Sequence, residues 1–284
     1  MAGVGVAVVA VSTSAILIEA SSAPPTVQAF YRVLFTAGLL APLLPAYRAD
    51  LERLSRRDAA AAVATGVALA AHFASWFASL SFTTVAAATT LVQTQVVFVA
   101  IAGWLLLGEV MTRRKAAGVA VAFAGAALMS VDGLRGGGAL AAEALLGDAL
   151  AVVGALGGSA YVLAGRSLRQ RIALVPYVLV VYLVCAVILG AGITAAGLPF
   201  GGYPAHEWGL FLAMAIGPGV LGHTLINWAL KHVESGVVSV WLLGEPVGST
   251  ALALVLFAQV PGPFTVVGGA VVLVGIYVTA TVRT

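Results

Sequence analysis

About ten runs of roughly 20 apolar residues follow one another along this chain, with charge confined to the short breaks between them. That is the length an α-helix needs to cross the hydrocarbon core of a bilayer. The chain is 61% hydrophobic and only 9% charged, too little charge to solvate the surface of an ordinary soluble domain. The runs are continuous, whereas a membrane barrel would show alternating segments of about ten residues. The expected fold class is therefore an all-α integral membrane protein with ten transmembrane helices. The expected spans are 3–18, 27–46, 59–80, 85–107, 116–131, 146–165, 174–198, 208–230, 236–258 and 264–282.

The loops set the orientation. With a cytoplasmic N-terminus, twelve of the fourteen Lys and Arg residues fall inside: Arg48, Arg53, Arg56, Arg57, Arg113, Arg114, Lys115, Arg166, Arg169, Arg171, Lys231 and Arg283. Only Arg135 falls outside, and Arg32 lies within the second span. The positive-inside rule thus places both termini in the cytoplasm. A net charge of +3 spread over such loops is topogenic and implies no nucleic-acid partner. Cys185 is the only cysteine, which excludes an intramolecular disulfide and a cysteine metal site. No metal or cofactor is expected. The first run has no basic leader and is followed by nine more, so it is expected to be a retained span.

The chain also repeats. At an offset of 150 residues Leu80, Val97 and Leu106 match Leu230, Val247 and Leu256, and Gly118, Ala120, Val121 and Gly125 match Gly268, Ala270, Val271 and Gly275. Near the N-terminus the offset is 144, then 151. Five spans per half force the second half to enter the membrane upside down. The loop charges agree: the basic Arg113-Arg114-Lys115 loop aligns with the uncharged stretch 259–263. The expected organisation is a first repeat over 1–132, a linker over 133–145 and an inverted second repeat over 146–284, an architecture found in many secondary transporters.

Five plus five spans, the Leu105–Glu109 run (LLLGE) before a basic loop, and Glu245-Pro246-Val247 in span nine resemble the drug/metabolite transporter superfamily, EamA type. The resemblance covers the whole chain. It departs in the second half, where Phe257-Ala258-Gln259 stands in place of an LGE-like segment. The sequence is also similar to the amino-acid exporters of that superfamily, notably the YddG type that exports aromatic amino acids. The resemblance implies a small-molecule substrate, moved outward by alternating access across a bacterial inner membrane.

Polar groups at mid-span need a partner or a wet cavity. His72 and Trp76 in span three, and His223 and Asn227 in span eight with Trp228 beside them, share i,i+4 spacing and equivalent places in the two halves. They are candidates for a cavity wall suited to a planar side chain or a cation; interhelical hydrogen bonding and belt packing are the structural alternatives. Span four carries Thr89, Thr90, Gln93, Thr94 and Gln95, and Thr90, Gln93 and Thr94 are taken as cavity candidates. Trp241, Glu245 and Ser249 form an i,i+4,i+8 stripe in span nine. Pro246 should free carbonyls there for a substrate ammonium, and no basic residue is expected at the depth of Glu245. Tyr161 is a further candidate; Tyr177 and Tyr182 fit a cavity or an interface equally. Gly217, Pro218, Gly219 and Pro246 are hinge candidates. Arg32 is expected to snorkel outward to Glu19, and Glu109 to pair with Arg113 on a helix surface. The rows Gly154/Gly158 and Gly118/Ala122/Ala126 are assigned to close helix packing.

The function expected is export of small metabolites, with aromatic or large neutral amino acids as the leading class. The alternative is export of another metabolite or a cationic drug; an intramembrane enzyme lacks the motif context it would need. Proton coupling is compatible with one buried acid. No GxxxxGK[ST] loop occurs, so ATP-driven transport would need another subunit. Oligomeric state is not legible.

Overall fold

The computed structural model describes residues 2–52, 54–232 and 235–281; Arg53, Val282 and Arg283 of the expected charge map and span ends lie outside them. In chain order come α1 (Ala2–Ser12), α2 (Ser14–Glu19), α3 (Pro25–Leu40), a 3-10 turn (Ala41–Tyr47), α4 (Arg48–Glu52), α5 (Arg56–Ser79), α6 (Val85–Val92), α7 (Gln95–Leu107), α8 (Arg113–Leu134), α9 (Gly138–Leu168), α10 (Leu174–Ala195), α11 (Ala205–Met214), a π-helix (Ala215–Thr224), α12 (Leu225–His232), α13 (Ser235–Leu242), α14 (Gly244–Phe257) and α15 (Pro263–Thr281). Among the described residues nine of the resulting spans are long and apolar enough to cross a membrane, and Gly3–Glu19 is a shorter apolar tenth. The ten-span expectation therefore holds. Most of the stretch 133–145 is helical, because the Ala- and Leu-rich residues after Gly138 favour helix. Only 135–137 remains outside α8 and α9, turned by Gly137 and Gly138 at positive φ.

Glycine pairs show how the halves relate. A Cβ on Gly118 would stand 2.9 Å from the carbonyl oxygen of Gly275, and one on Gly125 would stand 2.7 Å from that of Gly268. The contact partner rises by seven as the residue falls by seven, so α8 and α15 cross antiparallel. Each contact is also the image of the other under the 150-residue repeat. The same exchange relates Gly118 against Thr279 to Gly268 against Met129. Two equivalent helices meeting through the same patch are related by a two-fold axis. Because they run antiparallel, that axis lies across the helices and not along them, which is the inverted repeat. The expected small-residue rows do pack here. α9 lies on α5 in the same manner, where a Cβ on Gly157 would stand 2.7 Å from His72 N.

The α7–α8 and α14–α15 turns are also equivalent. Gly108 and Ala258 both end their helices with positive φ (68° and 52°). The following amides, of Glu109 and Gln259, reach back to the Gly103 and Ala253 carbonyls. The missing LGE segment of the second half thus preserves the turn and changes only its side chains. Gln259 Oε1 accepts from Val85 N at 2.8 Å, capping α6. Glu109 lies in the loop before α8, not on a helix with Arg113, and the expected pair does not form. Its carboxylate instead meets Arg166 Nη2 at 2.8 Å and Lys115 Nζ at 3.7 Å. The Arg166 hydrogen bond, with Lys115 adding its charge, holds this carboxyl below the usual range.

Three spans expected as continuous are broken near their middles: α1/α2 at Thr13, α6/α7 at Gln93 and Thr94, and α13/α14 at Leu243. Local chemistry explains the breaks. Thr13 and Thr94 turn their hydroxyls onto the Ala10 and Leu91 carbonyls, at 2.7 and 2.6 Å, in competition with the helix ladder. Pro246, in the first turn of α14, has no amide to continue a ladder from α13. Span eight stays helical but widens into a π-helix around Gly217-Pro218-Gly219, where a kink was expected. Thr224 Oγ1 donates to the Gly219 carbonyl at 3.1 Å within it.

Candidate substrate cavity

The breaks converge. Glu245 is the second residue of α14, where the helix dipole favours a carboxylate. It is buried and accepts from Gln93 Nε2 at 2.5 Å. Gln93 Oε1 in turn accepts from Gln95 Nε2 at 3.2 Å. Gln95 is the residue that the 150-residue repeat sets against Glu245, so the two first turns after the breaks bring an amide and an acid to one place. Facing them, His72 Nδ1 lies 2.8 Å from the Gly154 carbonyl. A carbonyl only accepts, so Nδ1 carries the proton. The His72 ring stacks on Trp76 with centroids 6.1 Å apart, and stands 6.3 Å from the His223 ring, its repeat counterpart. Tyr161 completes the wall at 6.3 Å from His223.

These side chains, with Val11, Val92, Val162, Ile226 and Leu242, line a cavity of about 40 Å³. That is room for a few waters and smaller than an organic solute. The Trp76 indole N–H is buried with no acceptor, as are the Tyr177 hydroxyl and the Asn227 Oδ1, which lack any hydrogen-bond partner. Between the cavity and the basic end of α9, Asn227 Nδ2 donates to the Tyr161 hydroxyl and to the His223 carbonyl. The Arg169 guanidinium holds the Asn227 and Ile172 carbonyls.

The structure thus brings together His72, Trp76, Gln93, Tyr161, His223 and Glu245. It places the other sequence candidates elsewhere. Asn227 sits one layer behind Tyr161. Thr94 is tied to its own helix, and Thr90 packs near Gly269. Ser249 donates to the Ser12 carbonyl at 2.9 Å, satisfying a carbonyl at the α1/α2 break. The turn at Leu243 interrupts the i,i+4 register, so Trp241 faces outward at 40% exposure while Glu245 faces in. Trp228, 41% exposed, stacks on His232 at 4.7 Å on the bundle's outer face.

Arg32 is also corrected. It does not snorkel to Glu19, which is exposed. Arg32 is 1% exposed; its guanidinium donates to Ser14 Oγ at 2.9 Å and lies 4.5 Å from the centroid of Phe73. A basic residue therefore does occupy the interior, against Ser14 and Phe73, because the break after Ser12 leaves a polar niche that a continuous first span would lack. One lining residue, Gln95, was named in the span-four cluster but not taken as a cavity candidate. Gln95 was legible through its offset from Glu245. Glu207 stands apart from the cavity: fully buried, it accepts from Ser21 Oγ at 2.5 Å and from Ser22 N at 2.8 Å.

Two five-span repeats with broken helices around a polar interior cavity place this chain in the class of multi-pass membrane transporters. It belongs to the EamA-like transporter family, whose model matches residues 1–131 and again 145–281. The family comprises transporters of small substrates, not enzymes. Comparison with curated proteins gives no match. A solved structure titled only "Crystal structure of protein" superposes with a TM-score of 0.69 at 21% identity, over 97% of this chain and 94% of that one; at that identity the likeness shows the fold alone.

Proposed function

We propose that this protein is a secondary transporter of the bacterial cytoplasmic membrane that exports amino acids, aromatic or large neutral ones foremost, by alternating access. The carrying observation is the convergence of the α6/α7 and α13/α14 breaks on one cavity lined by Glu245, Gln93, Gln95, His72, Trp76 and Tyr161. Half-helix ends supply oriented dipoles without a desolvated loop. The Glu245 carboxyl suits an ammonium group, and the aromatic wall suits a planar side chain. The two-fold relation between α8 and α15 supplies a mechanism, in which the repeats rock about the fixed site. Gly217, Pro218, Gly219 and Pro246 act as hinges, since the π-helix and the α14 first turn depart from regular α-helix at these residues.

Counterflow of a panel of amino acids into proteoliposomes tests the reading; failure to exchange any of them refutes it. Trp76→Ala and His223→Ala should each lower exchange about tenfold or more at normal membrane expression, the worth of one buried aromatic contact. Exchange at the wild-type rate in both would move the site away from this cavity.

The orientation has its own test. In a Cys185→Ser background, an impermeant thiol reagent added to intact cells should label Pro204→Cys and spare Ser55→Cys. Labelling of both, or the reverse pattern, overturns cytoplasmic termini.

A further inference from the structure

Arg32 carries a charge that the transport reading does not use. Among the described residues it forms no ion pair. Its partners are neutral: the Ser14 hydroxyl, the Pro218 carbonyl at 3.5 Å, and the faces of Phe73 and Phe77 at 4.5 and 5.6 Å. A buried charge without a counter-ion is costly to keep, and a neutral side chain could hold the same hydroxyl and carbonyl. The charge itself therefore needs an explanation. Phe73 lies between Arg32 and the cavity, its ring 5.4 Å from His223, so the guanidinium stands one layer behind the wall. In a low-dielectric interior a charge at that remove still acts on the groups lining the cavity.

We propose that Arg32 is a specificity-determining residue: its fixed positive charge offsets Glu245, so the cavity takes a solute bearing both an ammonium and a carboxylate and rejects one bearing the ammonium alone. This rests on the reading of the cavity as the substrate site. One cation and one acid make the empty interior neutral when Glu245 is ionised. A zwitterion keeps it neutral. An amine without a carboxylate adds an uncompensated charge, which the low-dielectric interior penalises.

The test compares phenylalanine with phenethylamine, its decarboxylated counterpart, by exchange in proteoliposomes. Wild type should prefer phenylalanine. Arg32→Gln should raise the ratio of amine to amino-acid exchange about tenfold or more, while Arg32→Lys, which keeps the charge but loses the planar fork, should stay within about threefold of wild type. A merely structural arginine would lower both solutes together and leave the ratio unmoved, and that result overturns the inference. Glu245→Gln gives a second route that does not require Arg32 to be altered. It leaves the guanidinium unopposed, so binding of 3-phenylpropionate, measured by thermal stabilisation of the purified protein, should strengthen about tenfold or more; unchanged binding counts against the inference. Wild-type protein that exchanges neither phenylalanine nor phenethylamine overturns the substrate reading and this inference with it. Exchange of phenylalanine with an unmoved ratio overturns this inference alone.

Discussion

Gly125→Val is expected to abolish accumulation of folded protein, while Gly38→Ala is expected to be tolerated or slightly stabilising. A Cβ on Gly125 would stand 2.6 Å from the backbone nitrogen of Val272 and 2.7 Å from the carbonyl oxygen of Gly268. Both are main-chain atoms inside α15, so no rotamer change relieves them, and α8 and α15 must move apart. Overpacking against side chains costs about 1–3 kcal/mol, and against rigid backbone more. The displaced contact is also the one through which the two repeats meet about their two-fold axis, so the loss spreads along the whole α8–α15 seam. Gly38 has nothing within 4 Å of its Cβ position, and alanine there should gain about 0.5–1 kcal/mol of helix propensity. Detergent-solubilised yield and monodispersity on size exclusion check both. A monodisperse Gly125→Val protein at wild-type yield would show that the seam tolerates separation and is not the dimensioning contact of the fold.

The same seam shows what a single sequence makes legible in such a protein. Apolar runs and loop charges report span number and sense directly, because the bilayer imposes length and the loops impose topology. Gly118, Gly125, Gly268 and Gly275 were legible as a repeat because close packing tolerates no side chain at those positions. The breaks in the helices were not. Thr13 and Thr94 act by folding a hydroxyl onto their own turn, and the same residue in an unbroken membrane helix looks identical in sequence. That ambiguity moved Trp241 and Ser249 into the candidate site and kept Gln95 out of it, since a continuous helix carries a stripe through a position where the real chain turns. Arg32 failed for a related reason. Its depth was judged from the nearest span end, whereas its burial comes from Ser14 and Pro218, which lie 18 and 186 residues away in sequence.

Glu245→Gln should leave the protein folded and reduce amino-acid exchange about thirtyfold or more, the effect of removing one member of a buried charge contact worth about 2 kcal/mol or above. The substitution keeps the side-chain length and an oxygen able to accept from Gln93 Nε2, so the α14 first turn and the Gln95–Gln93 chain survive. Only the ability to carry negative charge or bind a proton is lost. Two roles for the carboxyl predict different results. As a structural acceptor for Gln93 it would be replaced almost without loss, because a neutral amide fills that place. As the group that holds a substrate ammonium, or a proton in exchange for it, it has no substitute among the lining residues, since His72, Gln93, Gln95, Trp76, Tyr161 and His223 carry no second acid. The pH profile separates the last two cases. If a proton is exchanged, wild-type transport should vary between about pH 5.5 and 8 and the residual activity of Glu245→Gln should not. If the carboxyl only holds the ammonium, loss in the variant should be uniform across that range. Wild-type rates in Glu245→Gln at every pH would reduce the carboxyl to a partner of Gln93 and leave any ammonium to amide oxygens and aromatic faces.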